Sequence, residues 1–392
     1  MPTSLLREAK ELSETLIHWR RALHEHPETA HEEQWTSQFI QGRLKEIGIP
    51  FQAPIGATGI LASLGPRPTA ASPIIALRAD FDALPIEEKN DLPFRSKIPG
   101  KAHLCGHDAH TAILLGAATL LKKHESELKH PIRLIFQHAE EVIPGGAKDF
   151  LKAGAFEGVK NAYALHNHPG LPAGVLGINT GAVMAAAGKF EIEIIGKGGH
   201  GAFPQHCIDP ITITAEMIGA AQTIISRKIC PSDSAVISFG KIQAGQAYNV
   251  IPDKVFLNGT TRALTHEIHH QLRDQLENLI RGITQAHGAT YHFKWEKGNP
   301  PLHNNTQAAE VVRKAAQALA YEENQIQTTT PMMGGEDFSF IADQVPSCYF
   351  FLGTHDESQH VGATWHSPEF RINEKVLTQG AALFAQIAFS PP

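Results

Sequence analysis

Cysteine is scarce: the 392 residues hold four, Cys105, Cys207, Cys230 and Cys348. They stand far apart, without the close pairing of a disulfide scaffold or a four-thiolate zinc knot, so reduced thiols in a cytoplasmic protein are the expectation. Long basic runs are missing, and 34 Lys and Arg against 40 Asp and Glu leave a net charge of −6. That balance argues against nucleic acid or an anionic membrane as partner and leaves a small molecule as the default. No segment approaches the roughly 18 uninterrupted apolar residues of a membrane span. Charges interrupt the N-terminal MPTSLLREAKELSETLIHWRRALHEHPE, so no signal peptide is expected there. Leu5, Ala9, Leu12, Leu16 and Leu23 recur at helical spacing instead. Internal repeats and low-complexity tracts are also lacking.

What is present describes a folded chain of about two domains, with 42% hydrophobic and 19% charged residues. In the first half, GILASLG (59–65), IIALRA (74–79), IRLIFQ (132–137) and AYAL (162–165) read as buried strands, and TAILLGAATLLKK (111–123) reads as a helix. Strand, helix, strand predicts an α/β layer with a largely parallel sheet. AAEVVRKAAQALA, SCYFFLG and KVLTQGAALFAQIAF near the C-terminus return to that layer. Between about 187 and 298 the order becomes β-α-β-β-α-β, the ferredoxin-like arrangement. The expected organisation is a catalytic domain in two parts, 1–186 and 299–392, with a small α/β sandwich, 187–298, inserted between them.

The strand ends carry the chemistry. IIALRA runs into Asp80 and Asp82, IRLIFQ into His138, Glu140 and Glu141, and AYAL into His166 and His168. Ligands bind beyond the carboxyl ends of strands in open α/β sheets, so these groups are expected to converge with HLCGHDAH, residues 103–110. Taken alone, that octapeptide fits a cysteine nucleophile with its base, half of a zinc site, or one wall of a metal centre completed elsewhere. Most of the 23 histidines are expected to be structural. His24, His26 and His31 are read as supporting a helix end, and His269 and His270 as part of a charged helix.

A cysteine nucleophile needs one base and an orienting partner, which would leave most of these imidazoles and carboxylates idle. Two metal ions employ them all. Paired metals about 3.5–4 Å apart polarise a carbonyl and lower the pKa of a shared water toward ~7, while thiolate and imidazole suit zinc or a similar ion. Successive side chains of an extended segment point opposite ways, so of Glu140 and Glu141 one can ligate while the other takes a proton.

RRALHEHPE, ALRADFDALPI, HLCGHDAHTA, FQHAEE, GKGGHGAFPQH, NVIPD, GTTRAL, MGGEDFSF and WHSPEF, in that order, resemble the metal-dependent amidohydrolases. That group includes hippurate hydrolases, N-acyl-amino-acid and indole-acetyl-amino-acid hydrolases and N-acetyldiaminopimelate deacetylases, within the aminoacylase and dimetal carboxypeptidase superfamily. The resemblance implies an α/β catalytic domain of the dinuclear-metal exopeptidase kind, with a mixed sheet and an inserted ferredoxin-like lid and dimerisation domain. It implies Cys105, His107, Glu141, His166 and His366 as ligands of two divalent ions, manganese or zinc, and Glu140 as general base and acid. His200 of GGH would stabilise the oxyanion, Asn249 and Arg262 would contact the substrate carboxylate, and Gly335 of GGEDFSF would lie in a substrate-contacting turn. Asp80, at a position where the superfamily often has a ligating histidine, and Asp82 would stand behind the ligands and orient them. His138 replaces a usual proline. The implied activity is hydrolysis of N-acyl amino acids by a cytoplasmic homodimer or higher homo-oligomer. The alternatives are a dipeptidase or carboxypeptidase on the same fold and a metal-dependent binding protein without turnover.

Overall fold

A computed structural model of the chain describes residues 2–69, 72–359 and 363–391. The chain divides into two compact units, a larger one of Met1–Gly181, His303–Thr330 and Asp337–Pro392 and a smaller one of Ala182–Leu302 and Pro331–Glu336.

The larger unit opens with three helices, α1 (Pro2–Glu11), α2 (Ser13–Glu25) and α3 (Gln34–Ile47). Strands β1 (Phe51–Ile55), β2 (Gly59–Leu64) and β3 (Ile74–Asp80), helix α4 (His107–Lys123), and strands β4 (Ile132–Gln137), β5 (Val159–Pro172) and β6 (Leu176–Gly177) follow. In the smaller unit come β7 (Ala186–Ile195), α5 (Pro210–Lys228), β8 (Ala235–Ala244), β9 (Lys254–Ala263), α6 (His266–Ala286) and β10 (Thr290–Lys297). The chain then supplies α7 (Thr306–Ala318), β11 (Ile326–Gln327), β12 (Ser347–His355) and α8 (Leu377–Phe389) to the larger unit.

The large sheet has the order β1-β2-β4-β3-β5-β12-β6-β11. Its centre, β4-β3-β5-β12, is parallel, while β1/β2, β2/β4 and β12/β6 pair antiparallel. The sheet is therefore mixed, with a parallel core. All seven residues of β3 are buried, as expected of a strand between parallel neighbours with both faces covered. The apolar stretch of α4 is buried nearly throughout, and Ile113, Leu114, Leu121, Leu383 and Phe384 share one core with the sheet.

Two elements run further than their apolar stretches. Helix α4 starts at His107 rather than Thr111, because Gly106 adopts a left-handed conformation (φ 92°) that turns the chain into the helix. Half of HLCGHDAH is thus helical. Strand β5 continues through His166 and His168 to Pro172, because β12 pairs along it in parallel, with Ser347 opposite Ala162 and Phe351 opposite His166. His166 therefore lies within a strand and not beyond its end.

In the smaller unit the strands form an antiparallel sheet of order β8-β9-β7-β10, the ferredoxin-like topology. Phe190, Ile192, Ile194, Val255 and Leu257 of the sheet pack with Ile213 and Met217 of α5 and Leu272, Leu276 and Ile280 of α6. Each helix has an N-cap side chain: Asp209 accepts from the Ile211 amide and Thr265 from the Ile268 amide, which satisfies donors that helix geometry leaves over. Among the described residues no helix is long and apolar enough to cross a membrane.

Candidate metal centre

Strand β3 delivers Asp80, the following turn Asp82, the segment after β4 Glu140 and Glu141, strand β5 His166, and the turn into α4 Cys105 and His107. Gly106 makes that last turn possible. A Cβ on it would come within 2.2 Å of Asn167 Nδ2, and its φ is one that side chains disfavour.

These segments bring the donors together. One donor atom each from Cys105, His107 and His166 lie within 4.8 Å of one another, and so do those of Cys105, Glu141 and His366, of His107, Glu140 and Glu141, and of Asp80, His107 and His110. Cys105 belongs to two of these groups and His107 to three. Cys105 Sγ is 3.5 Å from His166 Nε2, and His366 Nε2 is 3.3 Å from Glu141 Oε1. Cys105, His107 and His166 are buried, whereas the His366 side chain is half exposed. His366 has a positive φ of 64° and is fixed by its amide donating to the Leu104 carbonyl at 2.8 Å. Such strain in a non-glycine residue persists where the surroundings impose it.

Hydrogen bonds behind the donors set their orientation. His107 Nδ1 faces the Asp82 carbonyl at 3.0 Å and Asp82 Oδ1 at 3.2 Å, while Asp82 Oδ2 accepts the Glu141 amide at 3.0 Å. His166 Nδ1 faces the Asn167 carbonyl at 2.7 Å. Both Nδ1 atoms must donate to these acceptors, which leaves each Nε2 as the ring nitrogen turned toward the cluster. Asp80 binds His110 Nδ1 at 2.6 Å and Arg78 at 2.7 Å. Arg78 is itself buried, with Gln137 and Asp337 as further partners.

The electrostatics suit a divalent cation. Burial pulls His107 down, but the carboxylates of Asp80, Asp82 and Glu141 outweigh it and push the imidazole up to about 10. Burial, then Glu141, Glu140 and Asp80, hold the Cys105 thiol well above its usual range. Burial, then His110, keeps His166 well below its own, hence neutral. A thiol so raised is a poor nucleophile, which counts against the cysteine mechanism. His107 Nε2 and Glu141 Oε1 are buried without a hydrogen bond, although buried polar atoms nearly always have one. Thiol, imidazoles and carboxylates are the donor set that divalent transition ions prefer. The residues fit the ions.

Comparison with known proteins agrees with this fit. Residues 76–390 match the model of peptidase family M20/M25/M40. The chain belongs to that family. It is an enzyme of the amide-hydrolysing kind, and divalent metals are its cofactors. An N-acetylcysteine deacetylase of Bacillus subtilis is 38% identical over 95% of this chain and 96% of its own. IAA-amino acid hydrolase ILR1-like 4 of Arabidopsis thaliana is 38% identical over 99% of this chain and 88% of its own. The crystal structure of Bacillus subtilis YXEP protein, a dinuclear metal binding peptidase of the M20 family, superposes with a TM-score of 0.86 at 36% identity, covering 97% of this chain and 98% of that one.

The smaller unit holds the remaining residues expected from the resemblance. Gly199–His200 pairs with Val250–Ile251, and the Gly201 amide donates to the Asn249 carbonyl, so His200 and Asn249 share one short ribbon. The Ala202 amide donates to His200 Nδ1 at 3.1 Å. Arg262, half-buried, hydrogen-bonds to Thr260 Oγ1 and the Thr261 carbonyl, and burial lowers its pKa. Gly335 lies near Asn299 and Ala187.

His24 lies in the last turn of α2, at the helix end where it was expected. It is buried in α2 with Nδ1 2.8 Å from Asp108 and Nε2 3.2 Å from Glu88, a charge cluster that Arg20 completes. His26 also serves a helix end, its Nδ1 reaching the Ala22 carbonyl. His269 lies in the charged helix α6, buried beside Trp295. Sequence reasoning missed His110, whose spacing of three from His107 puts both on one face of α4, and Arg78, for which an arginine inside an apolar strand was the available signal.

Proposed function

We propose that the protein hydrolyses the amide bond of N-acyl amino acids, with acetyl, benzoyl or aryl-acetyl acyl groups. The observation that carries this reading is the pair of donor groups sharing Cys105, one with His107 and His166 and one with Glu141 and His366, with the Glu140 carboxylate within reach of His107 and Glu141. Those five residues would hold two divalent ions, manganese or zinc. Bound there, the ions supply Lewis acidity, polarising the amide carbonyl and making water easier to deprotonate.

The chain's own groups do the rest. The Glu140 carboxylate takes a proton from the attacking water and passes it to the leaving amine. His200, whose Nδ1 accepts the Ala202 amide, keeps its proton on Nε2 in the neutral form and donates it to the oxygen that gains charge as the carbonyl becomes tetrahedral. One such donor is typically worth ~10²–10³ in rate. The Arg262 guanidinium, half-buried with neutral acceptors, suits the carboxylate of an amino acid. The names of the Bacillus deacetylase and the Arabidopsis hydrolase support the substrate class.

The test is release of free amine from acetyl, benzoyl and indole-acetyl amino acids by protein reconstituted with manganese or zinc. Turnover of at least one conjugate is expected, and fails on esters of the same compounds if Arg262 reads the carboxylate. Cleavage of unblocked dipeptides alone would replace this reading with a peptidase.

A further inference from the structure

Glu33 is fully buried at the start of α3, where the helix does not use it. Glu28 does the capping there: its carboxylate accepts the Trp35 amide at 3.0 Å and the Thr36 amide at 2.8 Å. The Glu33 carboxylate is turned elsewhere. Its Oε1 accepts the Ala139 amide at 2.9 Å and its Oε2 accepts the Thr58 hydroxyl at 2.9 Å. Thr58 is held in turn by Ser37 of α3, whose hydroxyl donates to the Thr58 carbonyl at 2.7 Å.

Ala139 is the residue before Glu140, and it carries a positive φ of 52°, a conformation costly for a residue with a Cβ. Its carbonyl accepts the Gly146 amide at 3.1 Å. Two residues on, the Glu141 amide donates to Asp82 Oδ2 at 3.0 Å. The segment bearing Glu140 and Glu141 is thus held by a carboxylate on either side, Asp82 after Glu140 and Glu33 before it. Asp82 also orients His107. Glu33 has no such second task.

We infer that Glu33 is a positioning residue for the reaction: by accepting the Ala139 amide it holds the left-handed turn that aims Glu140. The inference rests on the reading of Glu140 as the base. Burial is the largest influence on the Glu33 carboxyl and pushes it up to about 7, so the group is retained at an energetic cost to the fold. Glutamine accepts an amide equally well and can donate to the Thr58 hydroxyl, whereas alanine leaves the buried Ala139 amide without a partner.

The experiment compares Glu33→Ala and Glu33→Gln in the full chain, loaded with manganese. Glu33→Ala is expected to lower kcat about 10- to 100-fold, with KM and bound metal near wild type, and Glu33→Gln to stay within about threefold of wild type. Hydrogen exchange of the metal-free proteins provides a readout apart from catalysis. Amides of residues 138–142 should exchange faster in Glu33→Ala and at wild-type rates in Glu33→Gln. Should Glu33→Ala not fold, Glu33→Asp, which withdraws the carboxylate by one methylene, takes its place. Wild-type kcat in Glu33→Ala, equal loss in both variants, or unchanged exchange would each overturn the inference. If the wild type cleaves no N-acyl amino acid, or Glu140→Gln turns over at full speed, it is the functional reading that fails, and the exchange data still decide whether Glu33 holds the turn.

Discussion

His107 Nδ1 meets Asp82 twice, through the backbone carbonyl at 3.0 Å and the carboxylate Oδ1 at 3.2 Å. An imidazole nitrogen facing two acceptors must carry the proton, so Asp82 decides which ring nitrogen is available to a cation. Removing such an outer partner typically costs 10- to 100-fold in metal affinity, and Asp82→Ala is expected to lose about that much. The loss should exceed that of a surface Asp→Ala control, because the Glu141 amide loses its acceptor as well. Titration calorimetry with zinc or manganese checks it, and unchanged affinity would remove Asp82 from this role.

Glu140→Gln should separate chemistry from cation binding. The amide cannot take a proton from water, so kcat is expected to fall by about 10²–10⁴. Bound metal, read by elemental analysis, should stay at the wild-type ratio. Wild-type turnover would assign the base elsewhere.

Cys105 gives the converse pattern. Burial and the carboxylates around it hold the thiol protonated without a cation, so its use as a ligand depends on a positive charge beside it. Cys105→Ser should lose metal and activity together, and excess metal in the assay should recover part of the rate. An inactive Cys105→Ser protein with full metal content would point to a nucleophile.

The Glu33 carboxyl makes a prediction about stability and pH. Its value of about 7 in the folded chain, against an ordinary 4.5, means that the native state binds the proton more tightly than the unfolded one. The resulting stabilisation is complete below pH 4.5 and disappears as the pH rises through 7. Glutamine has no proton to lose. In metal-free protein the stability of Glu33→Gln relative to wild type should therefore grow across that window, by up to about 3 kcal/mol. Denaturant melts at intervals between pH 4 and 8 measure the difference. A constant offset would contradict the raised value.

How much of this was legible in the sequence varied with the range of the interactions involved. The buried strands at 74–80 and 132–137 follow from continuous apolar runs, and the smaller unit's order of elements was readable because each helix and strand keeps its own period. The first turn of α4 was not, because His107 and His110 serve the metal centre, Asp108 serves the charge cluster with Arg20 and His24, and all three break the apolar pattern that marks a helix. The extension of β5 was hidden for a different reason: Asn167, Pro169 and Gly170 look like a loop until β12, distant in sequence, pairs beside them. Within the site, residue types capable of holding metal announced themselves at Cys105, His107, His166 and the Glu140–Glu141 pair, and the resemblance chose Glu141 of the two. His366 came only through resemblance, since nothing in WHSPEF separates it from other exposed histidines. Glu33 is an ordinary acid until the Ala139 amide is seen against it.

The pairing of Val159–Pro172 with Ser347–His355 has a bearing on biosynthesis. When the first strands of the sheet have left the ribosome, the middle one still presents a bare edge of amides and carbonyls, and its neighbour is made much later. Unsatisfied edges recruit other chains, and long-range parallel pairing is slow. Nascent polypeptides halted before residue 347 should therefore aggregate or bind chaperones, and a truncated product should be insoluble however well its first half is made.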